Sequence, residues 1–213
     1  PETKAVFHFG SYSHKEFELN PSYFIGADYD SFRRLLAHCK VNDIPFVYAS
    51  SALVYESETN FSRHKRTLER MAAESGARTL GLRLFPVYGL GEKRSVISQW
   101  LWQMADGHRP IVFGDGKQAR DFVYVGDVAQ AAISLCNSGA EGIVDIGTGV
   151  KTSFNDIVDT INEALGLRIE PEYVPGPAGY SSGICAKIGI KPARSVHDGI
   201  RAMARSVAPC ELV

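Results

Sequence analysis

The sequence predicts an α/β fold: a parallel sheet, incomplete at its N-terminal side, with a small C-terminal α/β lobe. Three observations point there. Apolar bursts alternate with amphipathic helices over the first 150 residues, in the strand, helix, strand rhythm that gives parallel pairing through right-handed crossovers. The opening burst Lys4-Ala5-Val6-Phe7-His8-Phe9 already reads as a buried strand running into Gly10-Ser11, so the fold begins in mid-sheet. Past residue 150 the segments shorten, and the Pro175-Gly176-Pro177-Ala178-Gly179 loop sets off a tail.

The elements follow in order. Phe32, Leu35, Leu36 and Cys39 at helical spacing predict an amphipathic helix over 31–40, and Ile44 to Ser50 is the next buried strand. Asn60 is placed to cap a helix from Phe61 to about Ser75, and Arg78 to Phe85 is a strand leading into the Val87-Tyr88-Gly89 turn. A helix covers Val96 to Ala105, and Ile111-Val112-Phe113 is a short strand closed by Gly114-Asp115-Gly116. Phe122, Val123 and Val125 alternate with polar neighbours as a strand, Asp127 stands as an N-cap, and a helix runs to about Cys136. A strand over 142–146, a helix from Thr152 through Leu165, a strand over 170–174 and a helix over 195–204 complete the chain.

At 213 residues, 45% hydrophobic and 22% charged, the composition is that of an ordinary globular protein. A net charge of -1 offers no basic field for nucleic acid or an anionic membrane. Cys39, Cys136, Cys185 and Cys210 form no C-x-x-C pair and have no histidine ladder nearby, which predicts free thiols, no metal site and a reducing, cytoplasmic setting. No apolar run approaches the roughly 20 residues of a membrane helix, and no signal peptide opens the chain. It starts at Pro1 without methionine, so upstream residues are expected.

Candidate chemistry centres on Arg120-Asp121-Phe122-Val123-Tyr124-Val125-Gly126-Asp127-Val128-Ala129. Arg120 is a planar donor fork suited to a diphosphate, and Asp121 is placed to orient it or to pair with a neighbouring loop. A surface arginine followed by a capping aspartate accounts for the spacing equally well. Gly89-Leu90-Gly91 and Gly147-Thr148-Gly149 lack the spacing of a phosphate-binding glycine loop and read as turns.

That segment, together with Phe7-His8-Phe9-Gly10, Pro45-Phe46-Val47-Tyr48-Ala49-Ser50-Ser51, Val54-Tyr55, Gly81-Leu82-Arg83-Leu84-Phe85 and Gly147-Thr148-Gly149, resembles the extended short-chain dehydrogenase/reductases of the NAD-dependent epimerase/dehydratase family. Within that family the pattern is most similar to the heptose epimerases. The resemblance implies a Rossmann-like domain over 1–150, N-terminally incomplete and interleaved with parts of the substrate lobe, and a mainly substrate-binding lobe over 151–213. It implies NAD or NADP as cofactor, a nucleotide-diphosphate sugar as substrate, and a homo-oligomer in which helices such as the one after Asn60 pair between subunits. About 60 residues carrying the glycine-rich turn are expected on the N-terminal side.

By the same resemblance Ser51 and Lys65 belong to the catalytic set, and Lys93 corresponds to a second acid/base lysine. His8 and Gly10 lie in the strand-end motif that passes beside the cofactor, whose ribose Lys65 would grip. Arg120, Ser51 and Pro86 would face the substrate. Two positions depart from the family: Phe61 stands where it has the catalytic tyrosine, and Pro86 where it usually has asparagine. The loops before Phe61 and Lys93 are also shorter. Each residue has a plain alternative: a strand-end cap for Ser51, solvated helix and loop positions for Lys65 and Lys93, a core histidine for His8 and an exposed one for His64. Tyr55 is a remote substitute for the missing phenol. The functional expectation is therefore a nucleotide-sugar epimerase. Its alternatives are a catalytically silent relative serving as a structural or interaction module, and a nucleotide-sugar dehydratase or reductase. This chain alone is expected to bind NAD(P) weakly or not at all.

Overall fold

The computed structural model describes residues 3–56, 58–176, 183–187 and 189–207. Cys210 and most of the predicted loop at 175–179 lie outside them. In chain order the elements are β1 (Val6–His8), α1 (His14–Leu19), α2 (Pro21–Val41), β2 (Phe46–Ser51), α3 (Asn60–Glu74), β3 (Thr79–Leu84), β4 (Val87–Tyr88), α4 (Val96–Ala105), β5 (Ile111–Phe113) and β6 (Ala119–Arg120). They continue with β7 (Val123–Tyr124), α5 (Val125–Asn137), β8 (Gly142–Ile146), β9 (Thr152–Ser153), α6 (Phe154–Leu165), β10 (Glu172–Val174) and α7 (Val196–Val207). These fall into two compact units: the described residues up to Leu84 with Gln130–Ile146, and Phe85–Ala129 with the described residues from Gly147 onward.

The first unit holds a four-stranded sheet in the order β1-β2-β3-β8, parallel throughout. Each strand is too short and apolar to stand alone. Its register brings Phe46 beside both Val6 and Thr79, and Leu80 beside Gly142. Phe32, Leu36 and Cys39 from α2 and Leu68 and Ala72 from α3 pack onto Phe46 and Tyr48. The Phe32 ring meets those of Phe46 and Tyr48 edge-on, each at 5.1 Å, an arrangement that adds to the area they bury. The parallel α/β architecture expected from the sequence is thus present.

Helix α2 is twice the predicted length. Asn20 caps it through the Tyr23 amide, Pro21 fits its first turn, and its front half buries Asp28. Apolar periodicity could not find that half, because its buried position is a carboxylate. Helix α3 is capped by Thr59 rather than Asn60, its hydroxyl accepting from the Ser62 amide at 3.3 Å.

In the second unit β4 pairs in parallel with β7 and β5 with β10, while β6 runs antiparallel to β9. Ile97, Leu101 and Met104 of α4, Ile157 and Ile161 of α6 and Ile200 of α7 form its core. Helix α6 opens on a capping box between Ser153 and Asp156 and closes on Gly166 in the left-handed conformation. The expected strand around Phe122 is cut short: Val125 is exposed and already helical, so Asp127 lies in the first turn of α5 instead of capping it.

Candidate active site

In the first unit the site grows from the N-terminal end of α3. Four residues apart, Phe61 and Lys65 share one face of the helix, the Lys65 ammonium lying 5.6 Å from the ring centroid. Phe61 packs edge-on against Phe17 at 5.4 Å and His14 at 5.8 Å. Its ring has no proton to exchange.

Lys65 is 4% exposed, not a solvated helix residue. Its Nζ donates to Ser11 Oγ at 2.9 Å and stands 3.6 Å from Asp28 Oδ2. The Ser11 hydroxyl in turn donates to Asp28 at 3.2 Å. His64, also buried, brings Nε2 to 2.8 Å from the same carboxylate oxygen. The expectation that His64 is exposed is thus corrected, since the α3 face it occupies packs on α2. Burial pulls the Lys65 ammonium below the ordinary lysine range, against the opposing charge of Asp28. For Asp28, burial works against ionisation, but the His64 hydrogen bond and the Lys65 charge outweigh it and hold the carboxyl below the usual range.

His8, at the end of β1, stacks on Phe46 and meets Phe32 edge-on. Burial lowers its pKa, Asp28 opposes that and Lys65 adds to it, so the imidazole is neutral at pH 7. Gly10 is exposed, and an added Cβ there would meet nothing within 4 Å, so the position is open. Ser51 ends β2, with its Oγ accepting from the Leu53 amide at 3.2 Å. Tyr55 is committed elsewhere: its hydroxyl donates to Asp145 at 2.8 Å and accepts from Arg83 at 2.6 Å. Arg83 also grips Glu69 through two hydrogen bonds of 2.9 and 2.8 Å.

In the second unit Asp121 is fully buried, its Oδ1 accepting from the Thr148 amide at 2.7 Å and hydroxyl at 2.6 Å. Its Oδ2 accepts from the amides of Gly149 and Ala186, both at 3.0 Å. Of its two proposed uses, pairing with a neighbouring loop is the one seen. Gly147 is required here, because a Cβ would come 2.6 Å from Asp121 Oδ2, and Gly149 has φ +77°. Gly147-Thr148-Gly149 is therefore a turn, and two of its amides already serve a carboxylate.

Arg120 is half-buried on β6, with Nη1 donating to the Ala119 carbonyl at 3.0 Å and the guanidinium 5.8 Å from the Phe154 ring centroid. Pro86 has an exposed ring and a carbonyl that accepts from the Val123 amide at 2.9 Å, joining β4 to β7. It has no N–H to offer a ligand. Lys93 is exposed in the turn before α4. Ser95 caps α4 through the Ser98 amide, and the Glu92 carboxylate adjacent to Lys93 accepts from the amides of Arg94 and Ser95 and from the Ser98 hydroxyl.

The structure therefore brings Lys65 together with Asp28, Ser11 and His64, of which the sequence flagged none as a partner. His8 and Ser51 lie at the same ends of neighbouring parallel strands, while Pro86, Lys93 and Arg120 belong to the other unit. Lys65 carries N–H donors of the kind a ribose hydroxyl accepts, whereas in the Gly147-Thr148-Gly149 turn the amides of Thr148 and Gly149 are already taken by Asp121 and are not offered to a pyrophosphate. No group of His, Cys, Asp and Glu that could hold a metal occurs among the described residues. None of the described helices is long and apolar enough to cross a membrane.

The model of the NAD dependent epimerase/dehydratase family matches residues 2–147. Among solved structures, a UDP-N-acetylglucosamine 4-epimerase from Methanobrevibacter ruminantium M1, in complex with UDP-N-acetylmuramic acid, superposes with a TM-score of 0.86 at 24% identity, covering 95% of this chain and 76% of that one. A UDP-glucose 4-epimerase from Thermotoga maritima, with UDP-glucose, gives 0.83 at 23% identity over 95% and 76%. An NAD-dependent NDP-hexosamine 5,6-dehydratase involved in tunicamycin biosynthesis gives 0.81 at 22% identity over 96% and 76%. At these identities the likeness is one of fold.

Proposed function

Because this chain belongs to the NAD dependent epimerase/dehydratase family, we propose that it serves as a nucleotide-sugar epimerase of the heptose-epimerase kind in which Lys93, not a phenol, moves the proton. One observation supports this most. Lys93 is exposed beside a carboxylate that is engaged by the Ser95 amide and the Ser98 hydroxyl, whereas position 61 carries a ring without a proton. In this reading Ser51 hydrogen-bonds the reacting oxygen, Lys65 holds the cofactor ribose with His8 and Gly10 beside it, and Arg120 takes the diphosphate. Pro86 lines the sugar without donating to it. NAD or NADP, when bound, supplies the hydride chemistry. The protein acts as a cytoplasmic homo-oligomer.

The test is incubation of ADP- and UDP-linked sugars with dinucleotide, using the 213-residue chain and the longest natural polypeptide that contains it, with epimers resolved by NMR. Lys93→Ala should cost about 10²–10⁴-fold in rate, the usual worth of a positioned acid/base. Equal rates in parent and variant would overturn the role of Lys93.

A second reading, the silent relative, is favoured by the packing of Phe61 against Phe17 and His14. It predicts binding of a nucleotide sugar without turnover, and a gain of activity in Phe61→Tyr. A dehydratase or reductase would instead release water or consume reduced cofactor, which the same NMR assay separates.

A further inference from the structure

Lys65 is a cation in an enclosed place, and it stays charged there only with a counterion. Asp28 supplies one at 3.6 Å, and Ser11 links the two by accepting from Lys65 and donating to Asp28. His64 approaches the same carboxylate oxygen at 2.8 Å and fixes its direction. An ammonium has three donors; Ser11 takes one, while Asp28 faces the ammonium at 3.6 Å as its counter-charge. We propose that Asp28 is the positioning residue for Lys65: it holds the ammonium charged and aimed, so that an N–H not taken by Ser11 is presented to a ribose hydroxyl. This rests on the reading of Lys65 as a cofactor-binding residue.

The groups around Lys65 come from three elements and one loop. Asp28 comes from α2, His8 from β1, His64 and Glu69 from α3, and Ser11 from the loop after β1. Glu69 is engaged by Arg83 and Ser50, which leaves Asp28 as the anion paired with Lys65 among the described residues. A residue that only filled space would leave the lysine's titration unmoved. Asp28 should not.

The experiment follows the ε-carbon of Lys65 by NMR in the whole 213-residue chain labelled at lysine, with its signal assigned by disappearance in Lys65→Arg. In Asp28→Asn the titration midpoint should move to lower pH than in the parent, because burial remains and the counterion is gone. An unchanged midpoint in a folded variant would overturn the proposal. If the variant unfolds, the midpoint rises toward the value of free lysine, about 10.4. In that case the parent alone decides: the carboxyl carbon of Asp28 should show a second small step at the midpoint of Lys65, and its absence rejects the pair. Ser11→Ala should lower the midpoint less than Asp28→Asn does. No cofactor enters these measurements. An inert protein with coupled titrations would therefore refute the functional reading alone, and an active one with uncoupled titrations would refute this inference alone.

Discussion

Asp28 and Asp121 are both buried carboxylates, one in each unit, and they are satisfied in opposite ways. The partners of Asp121 are mainly main-chain: three amides, from Thr148, Gly149 and Ala186, with the Thr148 hydroxyl and, at 3.6 Å, the Cys185 thiol beside them. Those of Asp28 are side chains: the His64 imidazole, the Ser11 hydroxyl and the Lys65 ammonium. A carboxylate bonded to amides fastens loops together and has nothing to exchange with them. One paired with the Lys65 ammonium favours that group's charged form. The same residue type therefore works as a clasp in one unit and as an electrostatic control in the other.

The strongest way to break that contrast is Asp121→Ala. It removes the acceptor from three amides and a hydroxyl at once, and since a hydrogen bond to a charged group is worth about 1.5–3 kcal/mol, a loss of about 3 kcal/mol or more is expected. Urea unfolding followed by circular dichroism measures it. A loss below about 1 kcal/mol, the scale of a single ordinary hydrogen bond, would show that the turn at Gly147 holds without its clasp.

Arg120 sharpens the same comparison from the neighbouring position. If Asp121 faces inward to the loop and Arg120 serves a ligand, Arg120→Ala should weaken binding of a nucleoside diphosphate by about 1.5 to 3 kcal/mol, the range for hydrogen bonds to charged groups. Arg120→Lys should recover only part, because an ammonium lacks the planar fork. Calorimetric titration with ADP and UDP reads both. Unchanged affinity would make Arg120 as structural as its neighbour.

How much of this was legible in the sequence follows from what each segment buries. The helix over 96–105 and the strands over 111–113 and 142–146 sit where the pattern puts them, because apolar residues make their contacts and breakers bound them. The front of α2 was hidden because its inward residue is Asp28, which any hydropathy reading turns toward solvent. Likewise the four-residue step from Phe61 to Lys65 is visible, but Ser11 lies 54 residues away and only the fold joins it to Lys65. Asp127 misled for a local reason, since a cap and a first-turn acid look alike in sequence.

The smallest expected effect concerns acid stability and tests whether the Asp28 cluster titrates as a group. Burial is the main cause of the lowered pKa of His8. Below about 6.5 the unfolded chain therefore binds a proton that the folded chain refuses, and stability falls as pH falls. Asp28, also lowered, adds a loss of the same sign below about 3.9, where the unfolded carboxyl is protonated first. His8→Gln cannot titrate, so its drop in Tm from pH 7.5 to pH 5.5 should be smaller than the parent's. Comparing each protein with itself removes the cost of the substitution. Equal drops in the two proteins would mean that His8 takes up its proton without strain, and that the control exerted by Asp28 ends at Lys65.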